Sequence, residues 1–322
     1  PIAVDGEAVR ARFLRGDWLT VGGVFLVALI VFVAASAPTI VTEGDAAEFT
    51  ATATVGGIAH PPGYPSYIFL GWLIARIVDP MRLARVLNLL SSLSGAATCA
   101  AISGIMLTLG RRWEGVREAW PLRVAAICGG LIFCCSLEFW TQSLSAEVYT
   151  LSMLLMLVAM WLNISAFGER HPYLAVFLLA FGFGIHHTII VLSVPITAEF
   201  IFRNKTWRRP KTLALMALAF AAGCSAYLYL PIASSMQPTL DFVNPEEWKG
   251  FWDLVLMRGM PSVNPKIRTL QVWMVQFSSF FRQFWRQMPF WAYPFFAVGI
   301  PLILLAPLRL LWGNESLAAA PV

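Results

Sequence analysis

Residues 18–65 read WLTVGGVFLVALIVFVAASAPTIVTEGDAAEFTATATVGGIAHPPGYP. Residues 18–36 are nineteen in a row without a charge, enough as a helix to cross a hydrocarbon core of about 30 Å. Arg10, Arg12 and Arg15 precede them, which predicts a cytoplasmic N-terminus and an outward exit. The chain then changes character. Glu43, Asp45 and Glu48 fall within six residues, and His60-Pro61-Pro62-Gly63-Tyr64-Pro65 follows, a run that continues neither helix nor strand. Asp45 and Glu48 are three apart and share a face if the segment is helical. Thr42-x-x-Asp45 predicts a capping box that starts this helix. A merely solvated loop has little use for a rigid proline turn beside its acids.

The remainder of the chain has the composition of a membrane protein. It is 58% hydrophobic and 13% charged, with a mean hydropathy of +0.69, so a soluble domain is excluded. The net charge of +5 does not signal nucleic acid, because the basic residues form short clusters between apolar segments, as orientation signals do. All five cysteines lie in apolar runs and read as small core residues, without disulfide or zinc site.

The expected fold is all-α: a polytopic helical bundle with about seven membrane-embedded helices. Juxtamembrane helices, including an apolar stretch at 66–78 too short to span, belong to the first outer loop. Spans are expected at 18–36, 86–109, 122–139, 148–167, 212–230 and 288–311. Residues 173–202 are bracketed by basic clusters at both ends, which predicts a hairpin of two short helices with its apex near 184–188. An amphipathic interfacial helix is expected at 269–287. One transmembrane domain, 18–312, would lie between a cytoplasmic segment (1–17) and a short tail (313–322), with outer loops at 37–84, 140–147 and 231–287.

This topology gathers ionisable groups at the outer surface: Asp45 and Glu48, Arg82 and Arg85 with Asn88 at spacing three, Glu147, and His186 with His187. Ionisable groups at membrane depth are costly and mark function. A carboxylate beside cations suits deprotonation of a hydroxyl while an arginine fork holds a phosphate. Each has a plainer reading. The acids can pair with Arg82 or Arg85, Glu147 can cap the span that follows it, and the histidines can bond to backbone carbonyls in a core. Trp248 and Trp252 read as interface anchors, and Arg258, Arg282 and Arg286 as headgroup contacts.

The motifs EGDAAEF (43–49), GIAHPPGYPSY (57–67), ARVLNLLSSL (84–93), Trp140 with six residues between it and EVYTLSML (147–154), GFGIHHT (182–188), YLYLPI (227–232) and DFVNPEEW (241–248) occur in this order. Together they resemble the family catalogued as domain of unknown function 2723, which is similar to the protein O-mannosyltransferases of the glycosyltransferase C superfamily. The resemblance covers roughly residues 18–260. It implies a multispan fold whose first outer loop carries the catalytic aspartate, a polyprenyl-phosphate sugar donor, and inversion at the anomeric carbon. On it Asp45 matches the base and Glu48 its partner, Arg85 and Asn88 the R-x-x-N element, and His187 the histidine before the threonine. Asp45-Ala46-Ala47-Glu48-Phe49 departs from the Asp-Ser/Gly-Gly-Glu-Phe of the family but keeps both acids.

The expected activity is therefore transfer of a mannose-like sugar from a polyprenyl-phosphate donor to a hydroxyl acceptor, a protein Ser/Thr or a glycan, at the outer face of a membrane. For a bacterial chain that is the periplasmic face of the inner membrane; for a eukaryotic one it is the lumenal face of the endoplasmic reticulum. Asp45 and Glu48 are the expected catalytic residues. His60, Tyr64, Arg82, Arg85, Asn88, Glu147, Tyr149, His186 and His187 are expected to bind substrate. Membrane lipid is the other expected partner; no cofactor, metal or nucleic acid is expected. The rival reading is a transporter or lipid-binding protein for a polyprenyl-linked or anionic substrate. Charges gathered at one surface, with no inverted repeat in the sequence, weigh against it.

Overall fold

The computed structural model describes residues 13–112, 119–258 and 270–287, and every regular element among them is helical. This is the arrangement in which a chain in lipid satisfies its own backbone polar groups. Two compact units are present. The first, Pro1–Cys134 with Glu138–Ile267, holds all of the acidic loop and its neighbours; the second is Cys135–Leu137 with Arg268–Val322.

The chain begins with α1 (Arg15–Ala35), then α2 (Ala46–Val55) and α3 (Pro65–Ala75), both short, and α4 (Pro80–Arg112). Next come α5 (Ala119–Cys134), α6 (Leu137–Leu144), α7 (Val148–Ile164) and the single turn α8 (Ala166–Arg170). A hairpin follows, α9 (Pro172–Phe183) and α10 (Ile189–Arg203), then α11 (Pro210–Cys224), α12 (Tyr229–Ser235) and α13 (Trp248–Val255). In the second unit, α14 (Leu270–Gln287) exposes Met274, Phe277, Phe280 and Phe281.

Helix α4 is the central post. It packs against α1, α2, α5 and α7, and 67% of its apolar window is buried, against 22% for α1. Small residues permit this close approach. Gly95 faces Ser143 and Phe32, and Gly104 faces Trp161, at distances that leave no room for a side chain. Thr98 and Thr108 of α4 return their hydroxyls to its own carbonyls, of Ser94 and Gly104, both at 2.8 Å, whereas Ser92 and Ser103 also donate across to Ser143 O and Ala126 O at 2.8 Å. α1 turns Leu19, Leu26 and Ile30 outward, the apolar face a lipid-contacting helix presents. At its start Asp17 is fully buried and held by Arg111 at 2.8 Å and Arg123 at 2.9 Å.

Among the described residues, three helical segments are long and apolar enough to cross a membrane: Arg15–Ala35, Pro80–Arg111 and Pro210–Ser235. A fourth is reached if the bent pair formed by α5 and α6 counts as one span. The expectation of about seven embedded helices thus meets fewer full-length spans among the described residues, and the expected span at 288–311 lies outside them. The hairpin at 173–202 forms as two short helices with its turn at 184–188.

Several boundaries differ from the sequence expectation. The expected span 122–139 breaks at 135–136 and turns by 68°. The reason lies beyond the break, where Glu138, Thr141 and Gln142 make α6 amphipathic. α4 begins at Pro80, a residue suited to a first helical turn, so Arg82 and Arg85 lie on the helix with Asn88 rather than ahead of the expected start at 86. The capping box at Thr42 does not form: α2 starts after Asp45 and has no side-chain cap. Gly44, at φ +68, turns the chain there instead.

Candidate active site

The acidic stretch becomes α2 and a closed turn packed on its first half. Asp45 is the N-cap residue of α2 and Glu48 lies in its first turn. The chain then leaves through Gly56, left-handed at φ +64, and returns to place His60 over Glu48. Glu48 Oε1 accepts the His60 backbone N–H at 2.7 Å, and Oε2 accepts the Nδ1–H at 2.9 Å. His60 Nε2 lies 3.0 Å from the Tyr64 hydroxyl and 3.8 Å from Asp45 Oδ2. Phe49, fully buried, stacks beneath the imidazole at an interplanar angle of 16°.

The proline turn is anchored from behind. Gly63 has φ +85, and a side chain there would meet Leu254 and Leu230. Ser66 donates its hydroxyl to Phe181 O at 2.7 Å and its N–H to Gly184 O at 2.9 Å, which docks the turn on the hairpin. Ile58 N–H donates to Leu240 O at 2.8 Å, and the Tyr229 hydroxyl to Gly57 O at 3.0 Å.

Glu147 completes the cluster from the start of α7. It sits at the N-cap of α7 without capping it. Its Oε1 instead accepts the Asp45 backbone N–H at 3.1 Å, and its own N–H donates to Ser91 Oγ at 3.2 Å. Oε2 is buried and has no hydrogen-bond partner, as is the hydroxyl of buried Tyr67.

These surroundings set the charges. Burial pushes the Glu147 carboxyl up to about 7; the Asp45 charge adds to the rise, and the Asp45 N–H and His60 oppose it. Burial also raises Glu48, but the two hydrogen bonds from His60 outweigh it and hold the carboxyl below its ordinary value. His60 is raised, first by its bond to Glu48, against burial, and then by the charges of Glu48, Asp45 and Glu147. The Asp45 side chain is 40% exposed and that of Glu48 35%, but both Glu48 oxygens are engaged by His60, which leaves Asp45 as the acid open to a substrate.

The structure brings together Asp45, Glu48, His60, Tyr64 and Glu147. The His186 ring stands 4.9 Å from that of Tyr149 and 6.1 Å from that of Tyr64, and so lines the same side. Three expected residues face elsewhere. Arg85 Nη1 donates to the carbonyls of Ser36 and Ala37, both at 2.9 Å. Asn88 Nδ2 donates to Ala37 O and Thr39 O, also at 2.9 Å. His187 stacks on Phe183 and donates Nε2–H to the Tyr227 hydroxyl at 3.0 Å, which in turn donates to Phe183 O. Arg82 is exposed. Sequence reasoning misses Ser91, although it continues the three-residue spacing of Arg82, Arg85 and Asn88. For Phe49, Ser66 and Tyr67 the apolar patterning around them carries no signal.

Asp45, Glu48 and His60 each offer a donor atom within 4.8 Å of the others, near enough to share a divalent ion. Both His60 ring nitrogens already have hydrogen-bond partners inside the cluster, and no ligand role is assigned to these residues. Beside the Gly56 end of α2 lies an apolar groove of about 580 Å³. Phe69, Trp72, Phe181, Tyr229 and Met236 line it, and Arg76 packs over Trp72 at its rim.

Comparison with known proteins finds a family model, "Protein O-mannosyl-transferase TMEM260 N-terminal domain", matching residues 45–210. The match begins at Asp45 and takes in more than half of the chain. Protein O-mannosyl-transferase TMEM260 of Mus musculus is 29% identical over 238 residues, 70% of this chain and 31% of that protein. Protein O-mannosyl-transferase tmem260 of Dictyostelium discoideum is 26% identical over 218 residues, 61% of this chain and 25% of that protein. The chain thus spans about a quarter to a third of the length of these relatives. No solved structure matches it. The chain belongs to the family of the TMEM260 protein O-mannosyl-transferase N-terminal domain.

Proposed function

We propose that this chain is the catalytic membrane part of a protein O-mannosyltransferase of the glycosyltransferase C type, using a polyprenyl-phosphate-linked mannose or a similar sugar. One observation carries the reading: an accessible carboxylate, Asp45, at the head of α2, backed by the fixed Glu48–His60 turn and by Glu147. Asp45 accepts the proton of a serine or threonine hydroxyl as that oxygen attacks the anomeric carbon. The bond from that carbon to the phosphate oxygen breaks, its electron pair leaves with the lipid phosphate, and the configuration inverts. The Tyr149–His186–Tyr64 side suits the sugar, since aromatic faces pack against pyranose C–H groups. The apolar groove beside α2 supports a donor with a long hydrocarbon tail. The active face is the outer one, periplasmic or lumenal.

Arg85 and Asn88 are engaged with backbone carbonyls, so of the expected basic residues the exposed Arg82 is the one assigned to the donor phosphate.

The test is a proteoliposome assay with labelled polyprenyl-phosphate mannose and a Ser/Thr peptide. Wild type should release lipid phosphate and label the peptide. Asp45→Asn keeps the shape and loses the base, so turnover should fall by about 10²–10⁴-fold with donor binding within a few fold. Near-normal turnover in that variant removes Asp45 from the chemistry, and movement of the intact donor across the bilayer would support transport instead.

A further inference from the structure

Glu48 stands three residues from Asp45 on the same helix face, which invites a role at the substrate. Its geometry points elsewhere. Each of its oxygens accepts a bond from the same neighbour, one from the His60 backbone at 2.7 Å and one from the ring at 2.9 Å. The imidazole so gripped is held flat by Phe49 on one face and meets the Tyr64 ring near edge-on at 67°. It cannot turn without breaking the Glu48 bond and leaving the Phe49 stack. With Nδ1–H committed to Glu48, Nε2 is the ring nitrogen that faces the site: it is hydrogen-bonded to Tyr64 Oη at 3.0 Å and, in the imidazolium form, stands at ion-pair distance, 3.8 Å, from Asp45 Oδ2. Asp45 itself is fixed through its backbone, where Glu147 takes its N–H. Its side chain has a single charged neighbour within ion-pair distance among the described residues, and that neighbour is His60.

We propose that Glu48 and His60 form a two-layer support behind Asp45: Glu48 fixes the imidazole, Nε2 orients the Asp45 carboxylate, and Glu48 touches neither donor nor acceptor. This rests on Asp45 being the base. His60 is then a positioning residue and Glu48 acts only through it. The chain separates the layers for a physical reason. Residues three apart on a helix point the same way but do not grip each other when both are carboxylates. A histidine returned by the HPPGYP turn supplies the donor that lies between them. The other charged and titratable groups facing the ring are Tyr64, from the turn, and Glu147, from the start of α7.

The experiment is a double-variant cycle in the proteoliposome assay, with Glu48→Gln, His60→Ala, the pair, and Asp45→Asn as the reference for loss of the base. The amide introduced by Glu48→Gln retains an oxygen for the His60 backbone N–H but cannot grip both donors, so it loosens the ring with little cost to the turn; melting of each variant is measured alongside. Misplacing a reacting group by about 1 Å costs up to about 10²-fold, so each single variant should lower kcat by about 10–100-fold. Donor KM should stay within about threefold, since an interaction that supports only the base leaves ground-state binding alone. The double variant should be no slower than His60→Ala within about threefold. Losses that multiply in the double variant, or a loss that falls on donor KM, would overturn the support role while leaving Asp45 as base. An active Asp45→Asn would instead remove the base reading on which it rests.

Discussion

Glu147 shows how one side chain can be placed correctly by position and misread by role. The sequence allows it either to cap a helix or to bind substrate. In the structure it occupies the cap position, but its carboxylate reaches across to the Asp45 N–H, 102 residues away in the chain. Its carboxyl is pushed up to about 7 by burial. A folded-state value above the unfolded one means that the protonated form is preferred on folding, so stability is full below about pH 4.3 and declines until about pH 7. Glu147→Gln removes that decline while Oε1 still accepts the Asp45 N–H. Its melting temperature should therefore vary less with pH between about 4.5 and 7 than that of wild type, and the variant should be the more stable above about pH 7, by roughly 1–3 kcal/mol. A wild type whose melting does not fall across that interval would refute the buried neutral acid. Gly44 is the companion position: at φ +68, a Cβ would lie 2.7 Å from Glu147 Oε1. Gly44→Ala should cost about 1–2 kcal/mol of stability and loosen Asp45, measurable as early melting with reduced transfer.

At the scale of the element, α4 decides where the acidic loop starts. α1 ends at Ala35, and the carbonyls of the segment that leaves it, those of Ser36, Ala37 and Thr39, need partners. Arg85 and Asn88 supply them, and the arginine charge also suits a helix C-terminus. Arg85→Ala should lower the melting temperature by the equivalent of about 1.5–3 kcal/mol, and the variant should still gain stability from added polyprenyl phosphate. A variant that melts normally but ignores the lipid phosphate would return Arg85 to the donor site. The three-residue spacing of Arg82, Arg85 and Asn88 is readable as one face of a helix; what that face grips is not, because its partners are carbonyls, which have no signature in sequence. Apolar length locates α1, the hairpin and most of α11. The bend between α5 and α6 is hidden, since no proline or glycine marks it and the polarity of α6 is spread over eight residues.

For the whole molecule, topology follows from charge asymmetry and is open to a direct check. On a cysteine-free background, cysteines at Ala51 and Lys249 should react with an impermeant thiol reagent added outside, and one at Lys211 should not. Reversed labelling would undo the outward placement of Asp45. The local half of the candidate site is legible because Asp45, Glu48 and the HPPGYP turn lie within twenty-one residues of one another, where helix spacing and turn chemistry constrain neighbours. The remote half depends on Ser66 meeting the hairpin and on Ser91 meeting Glu147. Those pairings arise from packing across the bundle, which periodicity does not encode.

The clamp between α4 and the exit of α1 also bears on lipid matching. Because protein carbonyls and an arginine, rather than headgroups, fix the point where the chain leaves α1, the height of Asp45 is referenced to α4 and not to the local thickness of the bilayer. A thinner or thicker membrane would tilt or stretch its surroundings around the outer helices without moving the base relative to its turn. Turnover in vesicles of short-chain and long-chain phosphatidylcholine should accordingly differ little for wild type. It should become strongly dependent on acyl length once Asn88→Ala and Arg85→Ala have released the clamp.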